Sequence, residues 1–250
     1  MALTQAGTKP TIEYPSSDGE PMAQNTKQYR YITTLQGGLA AMFRDRPDVF
    51  VAGDLFWYPI EGDNKTRVAP DVMVVFGRPK GDRDSYRQWE EGNIAPQVVF
   101  EILSPSNTLS ELLDKSLFYG QYGVQEYYIY DPEGGGLYGF VRDELGHLRR
   151  VEEMRGWVSP LLGVRFALEG GELVVVRPDG ERFVGYEELV AALEQERLLR
   201  EQERQRAEQE RLLREQEQQR AEQERQRAEQ ERQRAEQLAQ RLRELGVEPE

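Results

Sequence analysis

Two carboxylates stand where apolar chain should run. Asp71 follows a proline at the head of the strand-like segment VAPDVMVVF, and Glu101 lies inside QVVFEILSP between Phe100 and Ile102. A charge in such a run is costly unless it is partnered or holds a cation. If the two segments are neighbouring strands, both acids reach one divalent ion, and two oxygen ligands completed by water suit Mg²⁺ or Mn²⁺. Lys115 is the third candidate. The chain has five lysines among 32 basic residues and none after Lys115, so lysine at this place points to a compact ammonium whose pKa can move, which guanidinium cannot offer. Together the three residues define a chemistry. Carboxylates hold a cation that acidifies water and offsets phosphate charge, while the lysine activates that water or stabilises the added negative charge of the transition state. Each residue also has a bland reading: Asp71 ends a loop on backbone amides, Glu101 is neutralised by an arginine, and Lys115 pairs with Glu111 one turn earlier.

The elements that must position these groups follow from periodicity. Tyr31, Leu35, Leu39 and Met42 recur at three- and four-residue intervals, which predicts a helix over 27–43 stopped by Pro47. Three apolar segments of strand length follow, over 49–58, 68–76 and 97–103, and their near-continuous hydrophobicity predicts strands buried on both faces. Residues 109–120 are helical by spacing, and 124–130 (VQEYYIY) form a further strand closed by Asp131-Pro132. The order α-β-β-β-α-β places the core in the α/β class. Beyond it, a GGG run, the Arg177-Pro178-Asp179-Gly180 turn and the alternation over 173–176 predict an antiparallel β extension of the same domain, leading into a helix that starts near Tyr186.

Composition narrows the function classes. The 250-residue chain carries a net charge of −13, which excludes broad electrostatic attraction to phosphate or anionic lipid; a nucleic-acid partner needs a local basic strip or a bound cation. The absence of cysteine excludes disulfides, thiol nucleophiles and Cys-type zinc sites, and the one histidine, His147, cannot build a His-ligated metal centre alone. No stretch approaches the roughly 20 apolar residues of a membrane helix, and the first residues lack a basic region followed by an apolar run. The expectation is a soluble cytoplasmic protein with no membrane partner.

Residues 1–26 read as an N-terminal extended segment, 27–190 as the α/β domain, 191–245 as a charged heptad-like helix and 246–250 as a disordered end. In the tail AEQERQR recurs with alanines at Ala207, Ala221, Ala228 and Ala235. One seam position is usually charged and the other is Ala, which disfavours tight dimerisation. Glu–Arg pairs such as Glu210–Arg214 and Glu224–Arg227 instead support a solvated helix or loose coiled coil reaching roughly 80 Å. A homodimer, or pairing of the tail with itself or another helix, stays open.

The segments DGEPM, GDLFWY, VAPDVMVVFG, VVFEILSPSN and GVQEYYIYDP, with the spacing of Lys115 and Tyr119, resemble in order the Uma-two endonuclease family, within the PD-(D/E)XK restriction-endonuclease-like superfamily. The resemblance runs over about residues 12–190. It implies a mixed sheet flanked by helices, a nuclease acting on DNA, and a cation site of Asp71 and Glu101 with the Ile102 backbone carbonyl as a further ligand. The superfamily lysine usually stands two residues after the glutamate, where this chain has Leu103, and its counterpart here is Lys115 on the following helix. Gln24 stands where similar sequences carry an acidic residue. Asp54 in GDLFWY is a candidate auxiliary carboxylate, and Tyr119, one turn from Lys115, a candidate partner for the lysine or a phosphate; both residue types are also common in turns and cores. His147 with Arg149 and Arg150 reads as an exposed strand face, and Trp57, Tyr58 and Trp89 as packing. The alternative to a nuclease is a catalytically idle nuclease-like fold that serves as a scaffold through its long helix.

Overall fold

A computed structural model describes residues 12–17, 19 and 22–244. The expected disordered end at 246–250 lies outside the described residues, as do 1–11, 18, 20 and 21 of the expected extended segment.

The first helix, α1 (Thr26–Met42), is capped by Asn25, whose side chain accepts from the Gln28 N–H at 2.8 Å, and buries Gln28, Tyr31, Ile32, Leu35 and Leu39 on one face. The apolar stretch expected as a single strand over 49–58 is split. Its first part is β1 (Val49–Gly53), after which Asp54 takes a left-handed φ of 48° and turns the chain out of the sheet. Its second part is β2 (Trp57–Tyr58), which pairs parallel with β4 (Tyr86–Arg87) in a separate two-stranded sheet. Trp57 gains full burial there, against the second helix. Strand β3 (Val72–Phe76) starts four residues later than expected, because Val68 bridges to Trp57 and Pro70 has no N–H for a ladder.

With β5 (Val98–Ile102), β6 (Glu126–Asp131), β7 (Gly136–Arg142) and β8 (Leu148–Arg150) the main sheet has the order β1-β3-β5-β6-β7-β8. All pairs are antiparallel except β5–β6, which are parallel and joined through helix α2 (Leu109–Tyr122). Side chains alternate between two cores. Val72, Val74, Val98, Phe100, Tyr128 and Tyr130 pack with α1 on one face, and Met73, Val75, Val99, Tyr127 and Ile129 pack with Trp57 and Tyr119 on the other. By the same parity Asp71 and Glu101 belong to the α2 face.

The β extension is the hairpin β9 (Arg165–Glu169) and β10 (Glu172–Val176), whose Phe166 and Val175 complete the α1-side core. Buried Glu126 ties the preceding loop to β6 by accepting from Leu161 N–H at 2.7 Å, Tyr128 OH at 3.0 Å and the Ser159 hydroxyl. The chain divides into two compact units, Met1–Tyr186 and Glu187–Glu250. Its described part is the rest of α3 (Tyr186–Glu244), a continuous helix of 59 residues with no buried residue. Among the described residues no helix is long and apolar enough to cross a membrane.

Candidate active site

The register of the central strands brings the two acids together. Val72 pairs with Phe100 in the antiparallel β3–β5 ladder, so Asp71, one residue before β3, falls opposite Glu101. Asp71 Oδ2 accepts from the backbone N–H of Ile102 at 2.6 Å, which closes the strand end. Glu101 is 3% exposed and is met by two donors from α2: Lys115 Nζ reaches its Oε2 at 2.6 Å and Tyr119 OH its Oε1 at 2.5 Å. Lys115 and Tyr119 are four residues apart, so one helical face delivers both.

That face is set by aromatic packing and capping. Thr108 and Glu111 form a capping box at the start of α2, which leaves Glu111 bonded to the Thr108 N–H rather than paired with Lys115. Phe118, Tyr119 and Tyr122 pack around Trp57, with the Tyr119 ring parallel to the indole at 6.4 Å. The stripe of Leu109, Leu113 and Leu117 is turned to solvent. At the other end Gly123 takes a left-handed φ of 100°, and Arg142 donates to the carbonyls of Tyr119, Gly120 and Val124.

Electrostatics follow from burial beside like charge. Desolvation and then the negative charge of Glu101 push the Asp71 carboxyl up to about 8, against the opposing pull of Lys115 and the Ile102 N–H. For Lys115 burial works to lower the ammonium pKa, but the charges of Glu101 and Asp71 and the bond to Glu101 outweigh it, and the group is raised. Burial and Glu101 raise the Tyr119 phenol well above its ordinary value, so it stays a proton donor.

Sequence reasoning missed Gln28. This 7% exposed side chain donates from Nε2 to the Ile102 carbonyl at 2.8 Å and accepts from the Gln24 N–H at 2.9 Å. The available signal was its place three and four residues before Tyr31 and Ile32 on the buried face of α1, where a polar residue needs a partner. Gln24 accepts from the hydroxyls of Ser104, at 2.8 Å, and Ser106. Asp54, Asp71, Lys115, Gln24 and Gln28 all line a cleft of about 680 Å³. The Asp54 N–H reaches the Pro70 and Asp71 carbonyls at 3.1 and 3.3 Å, and its charge adds to the rise of Asp71. His147 precedes β8 and is exposed beside Asp143, whereas Trp57 is fully buried. Trp89 is half-buried against Tyr14, and none of the three lines the cleft.

No group of three or more Asp, Glu, His or Cys side chains converges on one point among the described residues. The oxygen donors at this strand end are the Asp71 and Glu101 carboxylates and the Ile102 carbonyl, the last already accepting from Gln28 and both Glu101 oxygens from α2. This all-oxygen set, with two acids whose mutual repulsion a cation would relieve, fits a hard divalent ion that keeps several waters.

A six-stranded mixed sheet flanked by helices, with paired acids at the end of its central strands and a lysine delivered to them by α2, defines an α/β protein with a polar site at its sheet end. Residues 2–169 match the Uma2 family, described as a putative restriction endonuclease, and the chain belongs to that family. Among solved structures it is similar to a putative nuclease belonging to DUF820 from Anabaena variabilis ATCC 29413, with 17% identity and a TM-score of 0.41 over 56% of this chain and 74% of that one. No curated protein matches it.

Proposed function

We propose that the protein is a Mg²⁺- or Mn²⁺-dependent nuclease that hydrolyses phosphodiester bonds of DNA, with residues 27–190 as its catalytic domain. The observation that carries this reading is the contact of Lys115 Nζ with Glu101 at 2.6 Å beside Asp71, in a cleft open to substrate. Asp71, Glu101 and the Ile102 carbonyl would hold the cation. When bound, the cation supplies positive charge against the phosphate and acidifies a water nucleophile.

The chain's own groups then divide the remaining work. Lys115 is held protonated by its acidic neighbours, so its role is to stabilise negative charge developing on the phosphate rather than to act as a base. Tyr119 fixes the Glu101 carboxylate from the far side, and Gln28 fixes the direction of the Ile102 carbonyl. These two are positioning residues. Asp54 is an auxiliary carboxylate on the same cleft.

Cleavage of plasmid or single-stranded DNA in the presence of Mg²⁺ or Mn²⁺ tests the reading. Asp71→Ala, Glu101→Gln and Lys115→Ala are each expected to lower kcat by roughly 10²–10³, the range for removing a group that stabilises transition-state charge. Equal activity in all three variants would assign the hydrolysis to another site or another protein. Absence of both cleavage and divalent-cation binding by calorimetry would leave the idle scaffold as the function.

A further inference from the structure

Two basic side chains in the cleft have no part in the chemistry above. Lys65 and Arg67 lie on the connection between β2 and β3 and line the same 680 Å³ volume as Asp71 and Lys115. Several described cations of the first unit are paired, as Arg78 and Arg83 both clamp Glu91 and Arg46 holds Asp48. Lys65 and Arg67 form no salt bridge among the described residues.

Their segment is nevertheless shaped. Asp63 accepts from the N–H of Lys65 at 2.8 Å and from the N–H and hydroxyl of Thr66 at 3.1 and 2.6 Å, so it fixes the turn that presents both cations. Arg67 Nη1 donates to the Asn64 carbonyl at 2.9 Å, and its guanidinium lies 4.8 Å over the Phe56 ring. One edge and one face of the fork are thereby held, and it also acts on the Tyr58 phenol through its charge and a side-chain hydrogen bond. The fork still has donors to spare, and a phosphate is their natural bidentate acceptor. The Lys65 side chain is exposed. Asp54, Asp71 and Glu111 also line the cleft, so a polyanion entering it meets carboxylates unless cations offset them.

We propose that Lys65 and Arg67 form a phosphate subsite for the phosphodiester next to the one cleaved, which makes a polynucleotide, not an isolated phosphodiester, the substrate of this cleft. The proposal rests on the nuclease reading and adds to it the residues that hold the neighbouring phosphate of the strand. The volume is that of a sphere roughly 11 Å across, enough for adjacent phosphates whose rise along a stacked strand is about 3.4 Å. It also supplies the local basic strip that a chain of net charge −13 requires to hold nucleic acid.

The test is fluorescence anisotropy of a short single-stranded oligonucleotide at several salt concentrations, with full-length protein carrying Asp71→Asn so that the strand survives. Adding Lys65→Ala or Arg67→Gln is expected to weaken binding about fivefold or more, and to lower the slope of log affinity against log salt by about 0.7 per lost contact. Lys65→Arg restores both. Lys65 is exposed, so its replacement leaves the fold intact even if Arg67→Gln disturbs the Phe56 stack. Unaltered affinity and slope in both variants, in a protein that still cuts DNA without Asp71→Asn, overturns the subsite alone. A protein that neither binds the oligonucleotide nor cuts DNA overturns the nuclease reading and the subsite with it.

Discussion

Glu101 shows how a buried charge is tolerated: both its oxygens are met, one by an ammonium and one by a phenol, inside a strand with every residue buried. Breaking such a pair leaves an uncompensated charge. Lys115→Ala is therefore expected to destabilise the metal-free protein by about 1–3 kcal/mol, below the 3–5 kcal/mol of a fully buried pair because the lysine side chain remains 29% exposed. Denaturant titration reads this, and restoration of the midpoint by millimolar Mg²⁺ distinguishes lost charge balance from lost packing. Asp71 makes a second prediction, in pH. Its carboxyl is raised from the ordinary 3.8 to about 8 by burial and by Glu101, so between those values the folded state holds a proton that the unfolded state has released. The stability of the metal-free protein should then fall as pH rises from about 4 to about 8, by at most about 1.4 kcal/mol for each step of one in pH. Asp71→Asn should flatten that slope in thermal melts, and a divalent cation that binds ionised Asp71 should counter it. An unchanged slope in Asp71→Asn would place the titration elsewhere.

At the scale of elements, β3 and β5 were legible as continuous apolar runs, with one acid at the head of the first and one inside the second. The lysine's helix was legible by spacing. The break inside the segment 49–58 was not, since GDLFWY keeps the hydrophobicity of a strand and only the left-handed Asp54 diverts it, beside Gly53, where an added Cβ would lie 3.3 Å from the Asp71 carbonyl oxygen. The side of α2 that carries Lys115 was legible too, since a helical projection sets it between Leu112 and Phe118, off the stripe of Leu109, Leu113 and Leu117 and toward the sheet edge. What the spacing does not show is that the aromatics Phe118, Tyr119 and Tyr122 take the core through Trp57 and leave those three leucines in solvent. Gln28 escaped notice because a single polar residue on an amphipathic helix reads as ordinary surface until Ile102 is seen beneath it. Helix α1 gives an element-level prediction. A Cβ at Gly38 would stand 2.6 Å from Cδ2 of Phe183, a ring packed against the α1-side core. Gly38→Ala gains about 0.5–1 kcal/mol of helix propensity but costs about 1–3 kcal/mol of overpacking, so the net is destabilising. Gly37→Ala, with open space at the same helix, should stabilise by the propensity alone; comparison of the two midpoints checks the assignment of the cost to Phe183.

For the molecule as a whole, the two units draw stability from different sources, and this separates their responses to salt and truncation. Both hydrophobic clusters lie within the first unit, whereas α3 buries nothing and is held by helix propensity and by ion pairs one turn apart: Glu196–Arg200, Glu210–Arg214, Arg211–Glu215 and Arg232–Glu236. Such pairs are worth about 0.2–0.5 kcal/mol each, most when the acid precedes the base, and they are screened as the Debye length shrinks to about 3 Å at 1 M salt. The full chain should accordingly melt in two parts by circular dichroism at 222 nm: a cooperative transition of the α/β unit, and a broad, salt-weakened loss of helix from α3. Ending the chain after residue 192 should remove the broad component while leaving the cooperative midpoint within about 2 °C, because no cluster residue is lost. A large fall in that midpoint would mean that the first unit does not fold independently of the residues after 192. Concentration-dependent sharpening of the broad component would instead mean that the alanine and leucine positions of the tail pair with a second helix despite their charged neighbours.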